Sequence, residues 1–140
     1  MQDLITFITH HALLSLITGI IFILLIFIEL IRAKRKVFDI TPTAATQLIN
    51  HDNAVVIDLR PNDLYRQSHI INAVSLRSED IHASPKKLEK YRTRTIILVC
   101  NSGTESLKIA ATLLKQGYNA YSIAGGIRAW HSAQMPLVKE

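Results

Sequence analysis

One cysteine, Cys100, is the only thiol in the chain. That scarcity excludes an intrachain disulfide and a cysteine-based metal site. The six histidines are scattered, with only His10 and His11 close together. They lack the spacing that aims two imidazoles at one ion, so no metal is expected. Aromatic residues make up 6% of the chain, and nowhere do they interleave with basic ones. A nucleic-acid partner is therefore not expected, despite the net charge of +5. No repeat and no low-complexity tract is present.

Apolar residues are plentiful, at 49%, and unevenly placed. Ala12 to Ile28, ALLSLITGIIFILLIFI, carries no charge. Continued through Glu29, Leu30 and Ile31, the run reaches about 20 residues, a helix of roughly 30 Å. Residues 12–31 are predicted to form one transmembrane helix, because a core of this size could not bury such a helix on every side. Glu29 lies near enough to the end for its carboxylate to reach the headgroups. A cleaved signal peptide fits badly: Asp3 precedes the run without any Lys or Arg, and Ile-Arg-Ala-Lys-Arg-Lys follows it in place of a small-residue cleavage site.

Four of the cations, Arg32, Lys34, Arg35 and Lys36, crowd one border of this run. By the positive-inside rule that border is cytoplasmic. The expected layout is a short extracytoplasmic N-terminus (1–11), the membrane helix (12–31), a basic juxtamembrane linker (32–37) and a cytoplasmic domain (38–140). Residues 12–36 are expected to contact membrane lipid, with the cations meeting anionic headgroups. A lone thiol suits the reducing side of the membrane.

Past the linker, strand and helix signals alternate. Thr41-Pro42 reads as N-cap and first helical residue of a helix to about Ile49. Ala54 to Ile57 and Thr95 to Val99 are short apolar runs of the kind found in strands buried on both faces. Asn62–Gln67 and Pro85–Tyr91 read as short helices, Ala73–Leu76 as a small strand. Thr104–Gln116 places Leu107, Ala110, Ala111 and Leu114 at helical spacing and is stopped by Gly117. Tyr118–Ile123 is a last strand, and Gly125-Gly126 turns the chain into a helix through Trp130. This alternation predicts an α/β domain, a parallel sheet with helices on both faces, with its crevice beyond the C-terminal strand ends.

At one such end the run TIILV meets Cys100-Asn101-Ser102-Gly103-Thr104-Glu105-Ser106, and a helix follows. Free backbone N–H groups and a helix dipole there favour a thiolate or a persulfide. Gly103 permits a tight loop with its amides turned inward. From position alone, Cys100 reads equally well as a small apolar filler.

The stretches VVIDLR…HIINAVSL, IILVCNSGTES and GYNAYSIAGGIRAW…MPLV resemble, in order and spacing, the rhodanese (sulfurtransferase) family. The strongest pieces are Asp58-Leu59-Arg60, His69-Ile70, Cys100-x-x-Gly103 and Gly125-Gly126 with Trp130, over about Val37 to Val138. The resemblance implies a rhodanese-like three-layer domain. It implies a nucleophilic Cys100 that takes sulfane sulfur from a donor and passes it to a thiol or protein acceptor, without metal or organic cofactor. The amides of Asn101, Ser102, Gly103, Thr104, Glu105 and Ser106 would cradle the anion, and Asp58, Arg60, His69, Gly125 and Gly126 would support them. Anchor plus single domain is similar to small membrane-bound proteins of this family in bacteria, which implies a single-pass protein of the inner membrane, with room for a membrane-protein partner.

Several positions depart from the family pattern. Where Cys-x-x-Gly-x-Arg-Ser is common, Glu105 replaces the arginine, and a carboxylate there repels anionic donors such as thiosulfate. A like charge also disfavours the thiolate. Alternatively Ser102-x-x-Glu105 is a capping box. Ser68 and Asn72 stand at usual glycine positions, both tolerable in turns. Leu64 stands where a glutamate partner for Arg60 is common. Asp58 reads either as a support of the cysteine loop or as a strand-end turn residue, His69 as a hydrogen-bonded structural histidine, Trp130 as core, and Arg128 as part of a solvated helix face. A phosphatase of the Cys-x₅-Arg type needs an arginine where Ser106 stands. A tethered scaffold that binds protein partners without turnover is the rival to a sulfur-transferring enzyme.

Overall fold

The computed structural model describes residues 11–36, 38–84 and 86–140. The segment expected outside the membrane, 1–11, lies outside the described residues apart from His11, as do Val37 and Pro85. The chain divides into two compact units, Met1–Val37 and Phe38–Glu140.

Among the described residues of the first unit there is one helix, α1 (Ala12–Lys36). Its segment Ala12–Ile31 has a mean hydropathy of 2.8 and is long and apolar enough to cross a membrane. Thr18 donates its hydroxyl back to the Leu14 carbonyl at 2.9 Å, so its polar atom is satisfied inside the helix. The helix does not stop at the expected span. It runs on through the residues expected as a linker to Lys36.

The second unit runs β1 (Asp39–Ile40), α2 (Pro42–His51), β2 (Val55–Asp58), α3 (Asn62–Gln67), β3 (His69–Ile70), β4 (Val74–Ser75), α4 (Ser78–Ala83), α5 (Lys86–Glu89), β5 (Ile96–Val99), α6 (Thr104–Lys115), β6 (Ala120–Ile123), α7 (Gly126–Ser132) and β7 (Leu137–Val138). Five strands form one parallel sheet in the order β1-β6-β5-β2-β4. Every residue of β2 and β5 is buried. Successive side chains leave a strand on opposite faces, so each strand feeds two cores. One contains Ile57, Ile96, Leu98, Ile109 and Leu113; the other contains Val56, Ile97, Val99, Ile123 and Trp130. Helix α6 covers the first face and α7 the second. This is the expected α/β arrangement.

Local chemistry explains most boundaries. Thr41 caps α2, its Oγ1 accepting the Ala44 N–H at 3.2 Å, and Pro42 follows at the first helical position. Helix α3 spans the expected residues. Of the expected helix Pro85–Tyr91, the described residues place Lys86–Glu89 in a helix that ends before Tyr91, because the chain then closes in turns: the Tyr91 N–H bonds the Leu88 carbonyl and the Arg94 N–H the Tyr91 carbonyl, each at 2.9 Å. Three further features carry no periodic signal in so few residues. They are α4, the edge strand β1, and an antiparallel pair in which His69 faces Val138 and Ile70 faces Leu137. Strand β1 is held by the Ser122 N–H to the Phe38 carbonyl at 2.7 Å and the Ala124 N–H to the Ile40 carbonyl at 2.8 Å. The C-terminal ends of β2, β5 and β6 thus lie side by side, and Cys100 leaves the middle one.

Candidate functional site

Strand β5 is paired on both sides, which fixes the backbone up to Val99 and delivers Cys100 to the rim of the sheet. The next three residues fold back over the sulfur. The Gly103 N–H points at Cys100 Sγ at 3.1 Å and the Ser106 N–H at 3.4 Å, while Ser106 Oγ lies 3.3 Å away. Both amides belong to the start of α6, where the helix dipole also favours negative charge. The expected cradle of six amides is thus smaller than the sequence suggests. Two amides and one hydroxyl reach the sulfur, because the left-handed turn at Gly103 directs only the Gly103 and Ser106 N–H groups inward.

Cys100 is 4% exposed. It shares an apolar cluster with Ile57 and Ile109 on one side and faces these polar atoms on the other. Above it, Asn101, Ser102, Thr104 and Glu105 are exposed. They form the rim and not the floor.

The loop depends on three glycines. Gly103 has φ +87 and stands as the N-cap of α6. Gly126 has φ +61, and a Cβ there would run into the Cys100 carbonyl and approach the Gly103 nitrogen to 2.8 Å. Gly125 has φ +74, and a Cβ would sit 2.7 Å from Ala129 Cβ. The start of α7 is thereby pressed against the cysteine loop, and the Ile127 N–H donates to the Cys100 carbonyl at 2.9 Å. Gly125 and Gly126 hold the expected place beside the site.

Glu105 does not form the capping box with Ser102. Gly103 is the N-cap, which places Glu105 one residue inside the helix start, and its Oε1 accepts the hydroxyl of Ser78 at the beginning of α4. Ser102 Oγ instead lies 3.4 Å from Thr104 Oγ1. The carboxylate is exposed on the rim outside the sulfur.

Asp58 and Arg60 form a buried pair with Nη2–Oδ2 at 2.7 Å and Nε–Oδ1 at 3.0 Å. Asp58 Oδ1 also accepts the Arg60 N–H at 3.0 Å, and Arg60 Nη2 donates to the Ser68 carbonyl at 2.6 Å. Asp58 is accordingly the turn residue at the end of β2 and, among the described residues, accepts from Arg60 and not from the cysteine loop. It also fills the place left by Leu64 as partner of Arg60. His69 is structural: Nδ1 lies 2.9 Å from the Tyr65 carbonyl, and its ring stacks on Tyr65 with centroids 3.9 Å apart. Trp130 is buried, and Arg128 is exposed.

Two residues escaped the sequence reading. Ser122 Oγ lies 2.9 Å from Ser106 Oγ, and both serines are fully buried. Ser122 stands opposite Asp39 in the β1–β6 ladder. Burial raises the Asp39 pKa above the ordinary aspartate range, against a smaller downward pull from the Ser122 hydroxyl. No signal in the sequence marks either residue, because their juxtaposition exists only once β1 pairs with β6.

Gly126→Ala tests whether the glycine contact shapes the loop. The substitution should lower stability by about 2 kcal/mol or more, since it combines a left-handed backbone with a steric overlap. Urea denaturation reads the loss, and an unchanged midpoint would show that the loop and the α7 start are not locked together.

Residues 41–133 match the rhodanese-like domain model. The protein YibN of Escherichia coli (strain K12) is 33% identical over 143 residues, covering 99% of both chains. The thiosulfate sulfurtransferase GlpE of Actinobacillus succinogenes is 32% identical over 100 residues, covering 71% of this chain and 88% of that protein. Among solved structures, a rhodanese-related protein from Thermoplasma volcanium superposes with a TM-score of 0.67 at 23% identity, covering 74% of this chain and 99% of that one. Fold, matched span and relatives agree that this chain belongs to the rhodanese-like domain family.

Proposed function

We propose that the protein is a membrane-tethered sulfurtransferase or persulfide carrier, with Cys100 as its nucleophile. The observation that carries this reading is the pair of amides, Gly103 and Ser106, aimed at Cys100 Sγ. A thiolate there attacks the outer sulfur of a sulfane donor R–S–S⁻. The donor S–S bond breaks, RS⁻ leaves with the electron pair, and Cys100 holds a persulfide. A thiol or protein acceptor then attacks the outer sulfur and returns the thiolate. The relative named as a thiosulfate sulfurtransferase supports sulfur transfer as the reaction class.

Glu105 directs the choice of donor. An exposed carboxylate on the rim repels a dianion, so persulfides of low molecular weight or on proteins are better donors than thiosulfate. Because Cys100 is 4% exposed, a donor reaches it only as the exposed residues of the rim move aside. Glu105 and this cover also favour the second reading, a rhodanese-fold scaffold that binds protein partners without turnover.

Helix α1 serves as a single-pass anchor in a bacterial inner membrane, with residues 38–140 in the cytoplasm. The apolar length of Ala12–Ile31 supports the anchor, and the cations after it support the orientation.

Incubation with a sulfane donor should add about 32 Da, one sulfur atom, to the intact protein as a persulfide. Cys100→Ser should remove the adduct. No adduct with either a persulfide or thiosulfate leaves the scaffold reading. Glu105→Arg should raise the rate with thiosulfate by about tenfold, one pKa unit's worth of interaction energy, and leave the rate with a neutral organic polysulfide unchanged. Equal thiosulfate rates would show that Glu105 does not screen the site. Protease added outside spheroplasts should leave residues 38–140 intact, whereas inverted vesicles should expose them. Cleavage from outside would reverse the orientation.

A further inference from the structure

A line of polar side chains leads away from Cys100 on the side opposite the rim, toward the edge strand. Cys100 Sγ lies 3.3 Å from Ser106 Oγ, and Ser106 Oγ lies 2.9 Å from Ser122 Oγ. Ser122 and Asp39 are register partners on neighbouring strands, so their side chains leave the same face about 5 Å apart. Asp39 Oδ1 is buried and has no hydrogen-bond partner. A buried carboxylate oxygen without a donor is costly, and the Ser122 hydroxyl, which already pulls the Asp39 pKa down, is a donor able to turn to it.

We propose that Asp39 is the proton acceptor of Cys100, reached through the hydroxyls of Ser106 and Ser122. With the relay formed, the thiol donates to Ser106, Ser106 to Ser122, and Ser122 to the Asp39 carboxylate. On activation the S–H bond breaks, each hydroxyl passes on its own proton while taking the one behind it, and an O–H bond forms on Asp39. One proton has moved, from sulfur to carboxyl, and the chain of hydroxyls now points at the thiolate. Ser106 has the Gly103 carbonyl, 3.2 Å away, as its alternative acceptor, so the relay forms when Ser106 turns from that carbonyl to Ser122. Rotation of the Ser122 side chain closes the last link.

The surroundings of Asp39 suit an acceptor. Burial holds its pKa above the ordinary aspartate range, which brings it nearer to that of a thiol and eases the transfer. No charged side chain adds to that shift. On α6, the element packed over this face, Glu105 is bound to Ser78 at the rim and Lys108 is exposed. On β6 the neighbouring titratable group is the half-buried Tyr121, which points to the opposite face from Ser122. Beyond the end of β2, Asp58 is neutralised by Arg60.

The inference rests on Cys100 as the reacting thiol, and alkylation tests it without any sulfur donor. In the full chain in detergent, the rate of Cys100 modification by iodoacetamide is measured from acid to alkaline pH. A thiol that shares its proton with Asp39 yields a plateau of reactivity on the acid side, because the thiolate–carboxylic acid form is then populated independently of pH. Asp39→Asn should abolish the plateau and lower the rate there by about tenfold or more. Ser122→Ala should do the same, Ser122→Thr should restore it, and the double variant should be no slower than either single one. A plateau that survives Asp39→Asn, or one lost with Asp39→Asn but kept in Ser122→Ala, overturns the relay. Sulfur uptake can fail while the plateau persists, which separates this inference from the sulfurtransferase reading.

Discussion

The short loop after β5 is held by contacts between backbones, and the rest of the site follows from that constraint. Gly103 and Gly126 meet where neither can carry a side chain, and the Ile127 N–H closes on the Cys100 carbonyl. With the loop pinned from α7, the first turn of α6 has one orientation, and the amides of Gly103 and Ser106 face the sulfur. Donors that are already aligned cost no reorganisation when charge develops on the sulfur. The buried Asp58–Arg60 pair acts one layer away. It ties the end of β2 to the Ser68 carbonyl, and so fixes the strand beside the cysteine without touching it.

How much of this was legible in the sequence depended on the range of each interaction. Continuous apolar runs such as IILV mark strands buried on both faces, and Thr41-Pro42 marks a helix start. These are local signals, and the corresponding elements formed where expected. The cysteine loop was legible as well, since Cys100, Gly103 and Gly126 are set by backbone requirements that few residues can meet. Glu105 was not. The pattern Ser102-x-x-Glu105 satisfies a capping box on paper, but a left-handed Gly103 moves the cap by one residue, and the carboxylate finds Ser78 on a helix with no sequence signature. Arg60 likewise found its partner two residues away, in Asp58, where the family pattern directs attention to Leu64.

Glu105 and the amides act on the same sulfur from different distances. The amides contact it directly and are shielded from water, so they favour an anion at that atom. Glu105 is exposed on the rim, and its field is screened by solvent before it reaches the sulfur. The carboxylate therefore acts chiefly on what approaches, and the amides on what has formed. Under the proposed function, a site built this way stabilises a persulfide once made and still discriminates against dianionic donors.

Asp39 is best understood through its effect on the fold. Its pKa is raised in the folded protein because burial disfavours the charged form. The sign follows from linkage: a proton on Asp39 favours the fold, so this stabilisation is fully present below the ordinary aspartate range and is lost as pH rises through the raised value. Above the raised value the ionised carboxyl works against the fold, and an asparagine of the same shape would not. An edge strand of two residues gains little from such a group, whereas under the proposed relay a carboxylate at the end of a line of buried hydroxyls leading to the Cys100 sulfur has a chemical use that an amide lacks. Sites of this kind, where a local cost to stability coincides with a path to the reacting atom, are where a stability account alone fails and a functional one begins.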